Sequence, residues 1–283
     1  MGLDQLSVEL CVRLINEEDS TVPLSVNAAI GQIVEFIEAI EPRMKSGGRL
    51  IYIGAGTSGR LGVLDSAECP PTFQSPPEQV VGIIAGGEAA LRRAVEGKED
   101  EPDGAGPELE LLKLTERDTV LGIAAVGTTP YVLGALRLAH ERGALTGLLT
   151  SVPINQPESV KHLIFVSTGP EVLTGSTRMK AGTATKLVLN TISTTLMVRL
   201  GKVYENLMVD LRTTNDKLRD RAARIVSMLT DLDRASCFTL LARASGSVKH
   251  AVVMQRRGCS LEEAERRLKA AEGRLREALG EGD

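Results

Sequence analysis

Arg49-Leu50-Ile51-Tyr52-Ile53-Gly54-Ala55-Gly56-Thr57-Ser58-Gly59-Arg60 joins a short, unbroken apolar run to a glycine-rich turn that opens a helical stretch. An apolar run without polar alternation predicts a strand covered on both faces, as in a parallel sheet. The same pattern recurs downstream, with apolar runs at 80–85, 119–125, 145–149 and 163–166 separated by helical stretches. Five such units predict an α/β fold: a doubly wound five-stranded parallel sheet in an αβα sandwich. Two helices precede it. In the second, Val22, Val26, Ile30, Ile33, Ile37, Ile40 and Met44 recur at three- and four-residue steps, with Pro23 suited to a first turn and Gly47-Gly48 to an end. After Ser167 a loop over 169–175 leads into a long helix from about Met179 to Gly201, and residues 211–283 read as helical throughout. The expected division is therefore 1–48, N-terminal helices packing on the main domain; 49–215, the main domain; and 216–283, a small helical subdomain.

Composition narrows the partners. With 283 residues the chain can bury a large core and carry an appendage. Lys and Arg number 33 against 37 Asp and Glu, a net charge of -4, so no broad basic field draws nucleic acid or anionic lipid. A small metabolite is the expected partner. Cys11, Cys69, Cys237 and Cys259 lack CxxC or His-rich spacing, which argues against a structural metal site or a disulfide framework and suits a reducing compartment. No apolar run approaches the roughly 20 residues that span a bilayer, and the start lacks the charged-then-apolar pattern of a signal peptide. A cytoplasmic protein is expected.

Three turns carry the chemistry. Gly54 to Arg60 places backbone N–H groups and hydroxyls at a helix start, where the dipole favours an anion such as phosphate. Formally this is also GxGxxG, but the dinucleotide reading asks for an acid closing the second strand, and that strand ends Ala85-Gly86-Gly87 with Glu88 beyond it. Gly127-Thr128-Thr129-Pro130 follows the third strand, and Thr174-Gly175-Ser176-Thr177 precedes the long helix. The carboxyl ends of parallel strands share one edge, so Thr57, Ser58, Gly59, Gly127, Thr128, Thr129, Ser176 and Thr177 are candidate ligands of one phosphate. The plainer alternative is that these hydroxyls only cap helices. Arg60 and Lys180 could attract an anion or be ordinary charges near helix ends. His140, His162 and His250 have no partner motif and read as structural or surface groups. The stretch 96–106, acidic and glycine-rich, reads as a solvated loop.

The run 54–62, continuing Val63-Leu64-Asp65-Ser66-Ala67-Glu68-Cys69-Pro70-Pro71-Thr72-Phe73, resembles the signature of N-acetylmuramic acid 6-phosphate etherases, which use the sugar isomerase (SIS) fold. Ala94-Val95-Glu96-Gly97-Lys98-Glu99-Asp100, Thr174 to Thr183 and Asn206-Leu207-Met208-Val209-Asp210 agree, so the resemblance covers nearly the whole chain. It implies a carbon–oxygen lyase without metal or organic cofactor that releases D-lactate and leaves N-acetylglucosamine 6-phosphate, during recycling of cell-wall sugars. By the family's pattern Glu99 removes the proton at carbon 2, while Glu68 assists lactate departure and then activates water. The chemistry wants such a pair, since a proton beside an aldehyde is weakly acidic and one carboxyl can first donate and later accept. On the residues alone, Glu68 would pass for an exposed helix-end carboxylate, and Glu99 has Glu96, Asp100 and Glu101 as neighbours. The resemblance departs at the second turn, where the family reads Ser-Gly-Arg-Thr or similar and this chain has Val126-Gly127-Thr128-Thr129.

The resemblance also implies pairing of subunits, so a homodimer is expected. It extends to the glucokinase regulatory protein, which leaves a noncatalytic sugar-phosphate sensor open as an alternative, and an aldose-ketose isomerase shares the fold. A helix-turn-helix regulator is disfavoured because 1–48 offers two helices without a basic recognition face.

Overall fold

Five strands form one parallel sheet in the order β2-β1-β3-β4-β5: β1 (Leu50–Gly54), β2 (Val80–Ile84), β3 (Thr119–Ile123), β4 (Leu145–Thr150) and β5 (His162–Phe165). All four pairings are parallel, and Gly54 lies opposite both Ile84 and Ile123, so these strands end at one level. The chain order reverses across β1 and β3. That reversal opens a crevice outside their carboxyl ends, the usual ligand position in open α/β sheets. The structure, a computed structural model, describes residues 2–95, 97–211 and 216–281. Glu96, residues 212–215 at the expected start of the C-terminal subdomain, and the last two residues lie outside it.

By packing the chain divides into two compact units, Met1–Ala67 with Pro77–Ser193, and Glu68–Pro76 with Thr194–Asp283. The packing boundary thus falls inside the long helix, earlier than residue 216. In the first unit, α1 (Val8–Asp19), α2 (Val22–Ala28) and α3 (Ile30–Lys45) precede β1. The single helix expected over 22–44 is two, because Ala29 leaves helical geometry (φ -95, ψ 2), and the path bends by 54° there. Periodicity survives such a bend, which is why the sequence reads as one helix. Buried Ile33, Phe36, Ile37 and Ile40 hold α3 on the sheet, and a Cβ on Gly147 of β4 would lie 2.6 Å from the Phe36 ring.

Helices cover both faces of the sheet. Ile51 and Ile53 of β1 join Val120, Val132, Leu136 and Leu148 in a core on one face, under α6 (Gly106–Leu112) and α7 (Pro130–Glu141). Each such fully buried side chain contributes roughly 1.5–3 kcal/mol. Tyr52 points to the other face, and Gly62 of α4 (Gly56–Phe73) packs 3.0 Å, measured from an added Cβ, from it. A short α5 (Gly87–Arg92) follows β2, and α8 (Lys180–Arg199) follows β5. Buried Asp65 of α4 accepts hydrogen bonds from the Tyr52 hydroxyl (3.0 Å), Asn190 Nδ2 (2.5 Å) and Ser193 Oγ (3.1 Å), which ties β1, α4 and α8 together.

Among the described residues the second unit holds the ends of α4 and α8, a two-stranded antiparallel hairpin, β6 (Val203–Tyr204) with β7 (Leu207–Met208), and the helices α9 (Asp216–Thr230), α10 (Arg234–Arg243), α11 (Val248–Arg257), α12 (Leu261–Ala270) and α13 (Leu275–Ala278). The hairpin turns at Glu205 in the left-handed region (φ 52) with Asn206 beside it, a two-residue turn chemistry. Asp233, Ser247 and Ser260 cap α10, α11 and α12 through their side chains, dividing what reads as one helical run. Val226, Cys237, Leu241, Val252 and Leu268 form its core. Lys249 is buried there with its ammonium satisfied by the carbonyls of Gly201 (2.9 Å) and Gly273 (2.7 Å) and by Asp210 (3.0 Å). Burial lowers its pKa, with Asp210 opposing.

Candidate active site

The first turn begins where β1 ends. Gly56 adopts φ +52, and the first helical hydrogen bond of α4 is Gly59 N to Ala55 O at 3.1 Å. The amides of Gly56, Thr57 and Ser58 therefore precede the helical ladder and remain available to an anion at the positive end of an 18-residue helix. Gly59 serves the approach itself: a Cβ there would lie 2.6 Å from both Gly54 O and Ile84 Cγ1. Thr57 and Ser58 are half-buried and Gly59 is buried.

The second turn follows β3. Gly127 has φ +76, a left-handed conformation that any other residue adopts only with strain, and a Cβ on it would lie 2.9 Å from Ile154 Cδ1 and 3.1 Å from Thr150 Oγ1. Thr128 is exposed and Thr129 half-buried, and Val126 projects to solvent. Thr129 occupies the N-cap position of α7 without making a side-chain cap, and Pro130 takes the first helical position.

The third turn meets the first. Gly182, in the opening turn of α8, lies where an added Cβ would be 3.5 Å from Thr177 O and 3.6 Å from Thr57 Cγ2. The start of α8 is already occupied: the Glu171 carboxylate accepts from Lys180 N (2.9 Å) and Ala181 N (3.0 Å). Ser176 and Thr177 can thus offer hydroxyls to a ligand, while the α8 amides serve a carboxylate of the protein. The sequence reading missed Glu171, although an acid nine residues before a helix start carries little local signal. Among the described residues, none of the hydroxyls of Thr57, Ser58, Thr128, Thr129, Ser176 and Thr177 bonds another protein group, which weighs against the helix-cap alternative.

Arg60 and Lys180 both have protein partners. Arg60 donates to Leu91 O (3.3 Å) and Arg93 O (3.1 Å), and buried Lys180 pairs with Glu18 of α1 at 2.6 Å. A carboxylate thus neutralises Lys180, while Arg60 spends two of its five N–H donors on backbone carbonyls and keeps its charge. His162 packs on Phe36 (5.6 Å between ring centres), and burial lowers its pKa, with Glu35 opposing.

Of the candidate carboxylates, Glu68 is exposed on α4, one turn past Asp65. The helix does not end there: it continues through Pro70 and Pro71 to Phe73, and the two missing N–H groups leave the carbonyls of Ser66 and Ala67 without their helical partners. Glu99 is exposed in a 3₁₀ turn, Lys98–Asp100, entered through Gly97 at φ 77, and this turn packs on α7. Of the stretch expected as a solvated loop, Glu96 lies outside the described residues and 97–103 are exposed as expected, with the 3₁₀ turn also packing on the helix that follows the second turn. All four cysteines are free thiols, and among the described residues no cluster of three His, Cys, Asp or Glu is placed to hold a metal ion.

This sheet order and its three turns define a protein of the SIS class. A phosphoheptose isomerase from Francisella tularensis shares the fold with a TM-score of 0.52 at 16% identity, covering 69% of this chain and 98% of that one. One from Neisseria gonorrhoeae gives 0.51 at 14%, covering 67% and 98%. Residues 32–140 match the glucokinase regulatory protein N-terminal SIS domain, and residues 205–250 the C-terminal lid domain of that protein. Closer relatives make the assignment specific. N-acetylmuramic acid 6-phosphate etherase of Caldanaerobacter subterraneus subsp. tengcongensis is 52% identical over 280 residues, 99% of this chain and 92% of that protein. The etherase of Mycolicibacterium smegmatis is 50% identical over 284 residues, covering 99% and 94%. The chain belongs to the family of N-acetylmuramic acid 6-phosphate etherases.

Proposed function

We propose that this protein cleaves the D-lactyl ether of N-acetylmuramic acid 6-phosphate, as a carbon–oxygen lyase in the recycling of cell-wall amino sugars. The observation that carries the reading is the set of unpaired hydroxyls and free α4 amides at the strand switch point, in a chain half identical to named etherases. Phosphate sits against Gly56 to Gly59, with the hydroxyls of Thr57, Ser58, Thr128, Thr129, Ser176 and Thr177 donating to its oxygens and Gly127, whose N–H is held by Ala124 O, shaping the second turn beside it. In the open-chain sugar the aldehyde acidifies carbon 2. Glu99 takes that proton, and Glu68 delivers its own to the ether oxygen as the bond from carbon 3 to oxygen breaks and D-lactate departs. Water then adds to carbon 3 of the unsaturated aldehyde, giving a proton to Glu68, while Glu99 returns one to carbon 2. Both carboxyls end as they began, and the net change is addition of water.

The same reading gives a cytoplasmic homodimer. Val8, Leu10, Val12, Leu24, Ile30 and Val34 are exposed along α1 to α3, an apolar surface suited to pairing. Among the described residues no single helix is long and apolar enough to cross a membrane. The test is to incubate the protein with N-acetylmuramic acid 6-phosphate in oxygen-18 water and assay D-lactate, beside Glu68→Gln and Glu99→Gln. Lactate release suppressed in both variants, with label at carbon 3, supports the scheme. Binding of the sugar phosphate without lactate release sinks it and favours a sensor.

A further inference from the structure

The segment that carries Glu99 crosses α7 at two glycines. Pro102 passes over Gly134, one turn into the helix, so closely that a Cβ on Gly134 would lie 1.6 Å from the Pro102 carbonyl oxygen and 2.6 Å from its carbon. Two residues on, Gly104 lies against Tyr131, where a Cβ would meet ring atoms at 3.0 and 3.2 Å. Tyr131 is itself buried at 2% exposure and follows Pro130 at the start of α7. Burial and then the charge of Glu108 push its phenol up to about 12, so at neutral pH it is an uncharged ring. The flanking contacts are weaker. Lys98–Glu101 (2.7 Å) and Arg137–Asp103 (3.6 Å) are exposed ion pairs that contribute little to holding a loop.

We infer that Gly134 and Gly104 are positioning residues for Glu99: the notch they make on α7 fixes the base relative to the phosphate turn that opens the same helix. The inference rests on reading Glu99 as the carbon-2 base. One helix then carries both ends of the alignment. Thr128 and Thr129 stand at its start, and the Glu99 segment is seated one turn later at Gly134. Filling the notch cannot be absorbed by a flexible side chain, because the atoms met at Gly134 are backbone. The segment must lift by more than 1 Å, and a misplacement of that size costs a reaction about 100-fold.

The experiment follows proton exchange at carbon 2 of N-acetylglucosamine 6-phosphate in deuterium oxide by NMR. This reads the base without requiring lactate departure. Lactate release and the affinity for the product are measured beside it, on wild type, Gly134→Ala, Gly104→Ala, Glu99→Gln and a control, Gly106→Ala, whose Cβ would meet nothing within 4 Å. Gly134→Ala is expected to lose exchange and kcat together by about 100-fold, with product affinity unchanged within about threefold and Gly106→Ala like wild type. Should Gly134→Ala fail to fold by thermal melting, Gly104→Ala, which needs the ring to yield by only tenths of an ångström, is expected to lose about fivefold in exchange with affinity intact. Exchange at the wild-type rate in the folded glycine variant overturns the inference, and so does a loss of product affinity as large as the loss of exchange. If Glu99→Gln itself exchanges like wild type, the assignment of the base has failed, and the docking argument goes with it.

Discussion

The two edges of the sheet begin from the same pair of strands and are built on opposite terms. At the amino edge, Arg49 enters β1 and Asp118 enters β3, and these two side chains are engaged with each other and with nearby backbone. Asp118 accepts from Arg49 N (3.0 Å), Nε (2.9 Å) and Nη2 (2.8 Å) and from Thr115 N (2.8 Å), and a further Arg49 donor reaches Leu112 O (2.8 Å). At the carboxyl edge, Gly54 leads into a turn whose Gly56, Thr57 and Ser58 amides precede the helical ladder, and among the described residues the six hydroxyls of the three turns lack such partners. A saturated cluster serves folding. Unsatisfied groups gathered at a switch point serve a ligand, and substitutions at the two edges should separate along that line.

The largest separation is expected at the carboxylates. Glu68→Gln or Glu99→Gln should lower kcat for lactate release by about 10³-fold, within the range of general acid–base contributions. Both side chains are exposed, so thermal midpoints should stay within about 2 °C. A variant that keeps a tenth of the activity removes its carboxylate from the mechanism. The mirror experiment is Asp118→Ala, which leaves the Arg49 guanidinium without its counter-ion. It should cost about 3 kcal/mol in denaturant unfolding while turnover per folded molecule stays at the wild-type level. Loss of activity without loss of stability would erase the distinction between the edges.

The sheet is legible because buried parallel strands have no alternation to obscure them: 50–53, 80–85, 119–125, 145–149 and 163–166 locate all five within a residue or two. The bend at Ala29 leaves no such mark, since both halves keep the same apolar period. Asp233, Ser247 and Ser260 are cap residues visible in the sequence, and they mark the divisions between the C-terminal helices. The turns proposed to hold phosphate are legible as glycine and hydroxyl clusters beside strand ends and helix starts. Glu68 and Glu99 are selected by resemblance, because a carboxylate's role depends on what docks beside it, and the docking of 99–104 is written in Gly134, some 35 residues away. The engagement of Lys180 by Glu18 and of α8 by Glu171 is equally remote from any local pattern.

Smaller effects test the carboxyl edge within itself. Thr57→Val should weaken sugar-phosphate affinity about tenfold, the value of one hydrogen bond to a charged group, without loss of stability. Thr150→Val, at the end of β4, should do the reverse. Its hydroxyl already bonds Ala125 O and Val152 O at 3.2 Å, so its loss should cost about 1 kcal/mol of stability and little affinity. If both variants lose affinity alone, the whole edge is ligand surface; if both lose stability alone, the unpaired hydroxyls have no ligand.

The smallest effect concerns how the amino edge answers to acid. Burial by itself would raise the Asp118 pKa, but hydrogen bonds from Arg49 and from the Thr115 amide, with the Arg49 charge, hold it below the ordinary carboxylate value. A carboxylate with a depressed folded-state pKa binds fewer protons in the native than in the unfolded chain. Its stabilisation is therefore complete above the unfolded pKa, about 3.9, and is lost as pH falls through the lower folded value. The stability difference between wild type and Asp118→Ala should be constant from about pH 7 to pH 5 and narrow below about pH 4. Unfolding curves at each pH measure it. A difference that widens on acidification would mean that Asp118 is protonated more readily in the native protein than in the unfolded chain, and that the amino edge, for all its hydrogen bonds, is held together by something other than this charge.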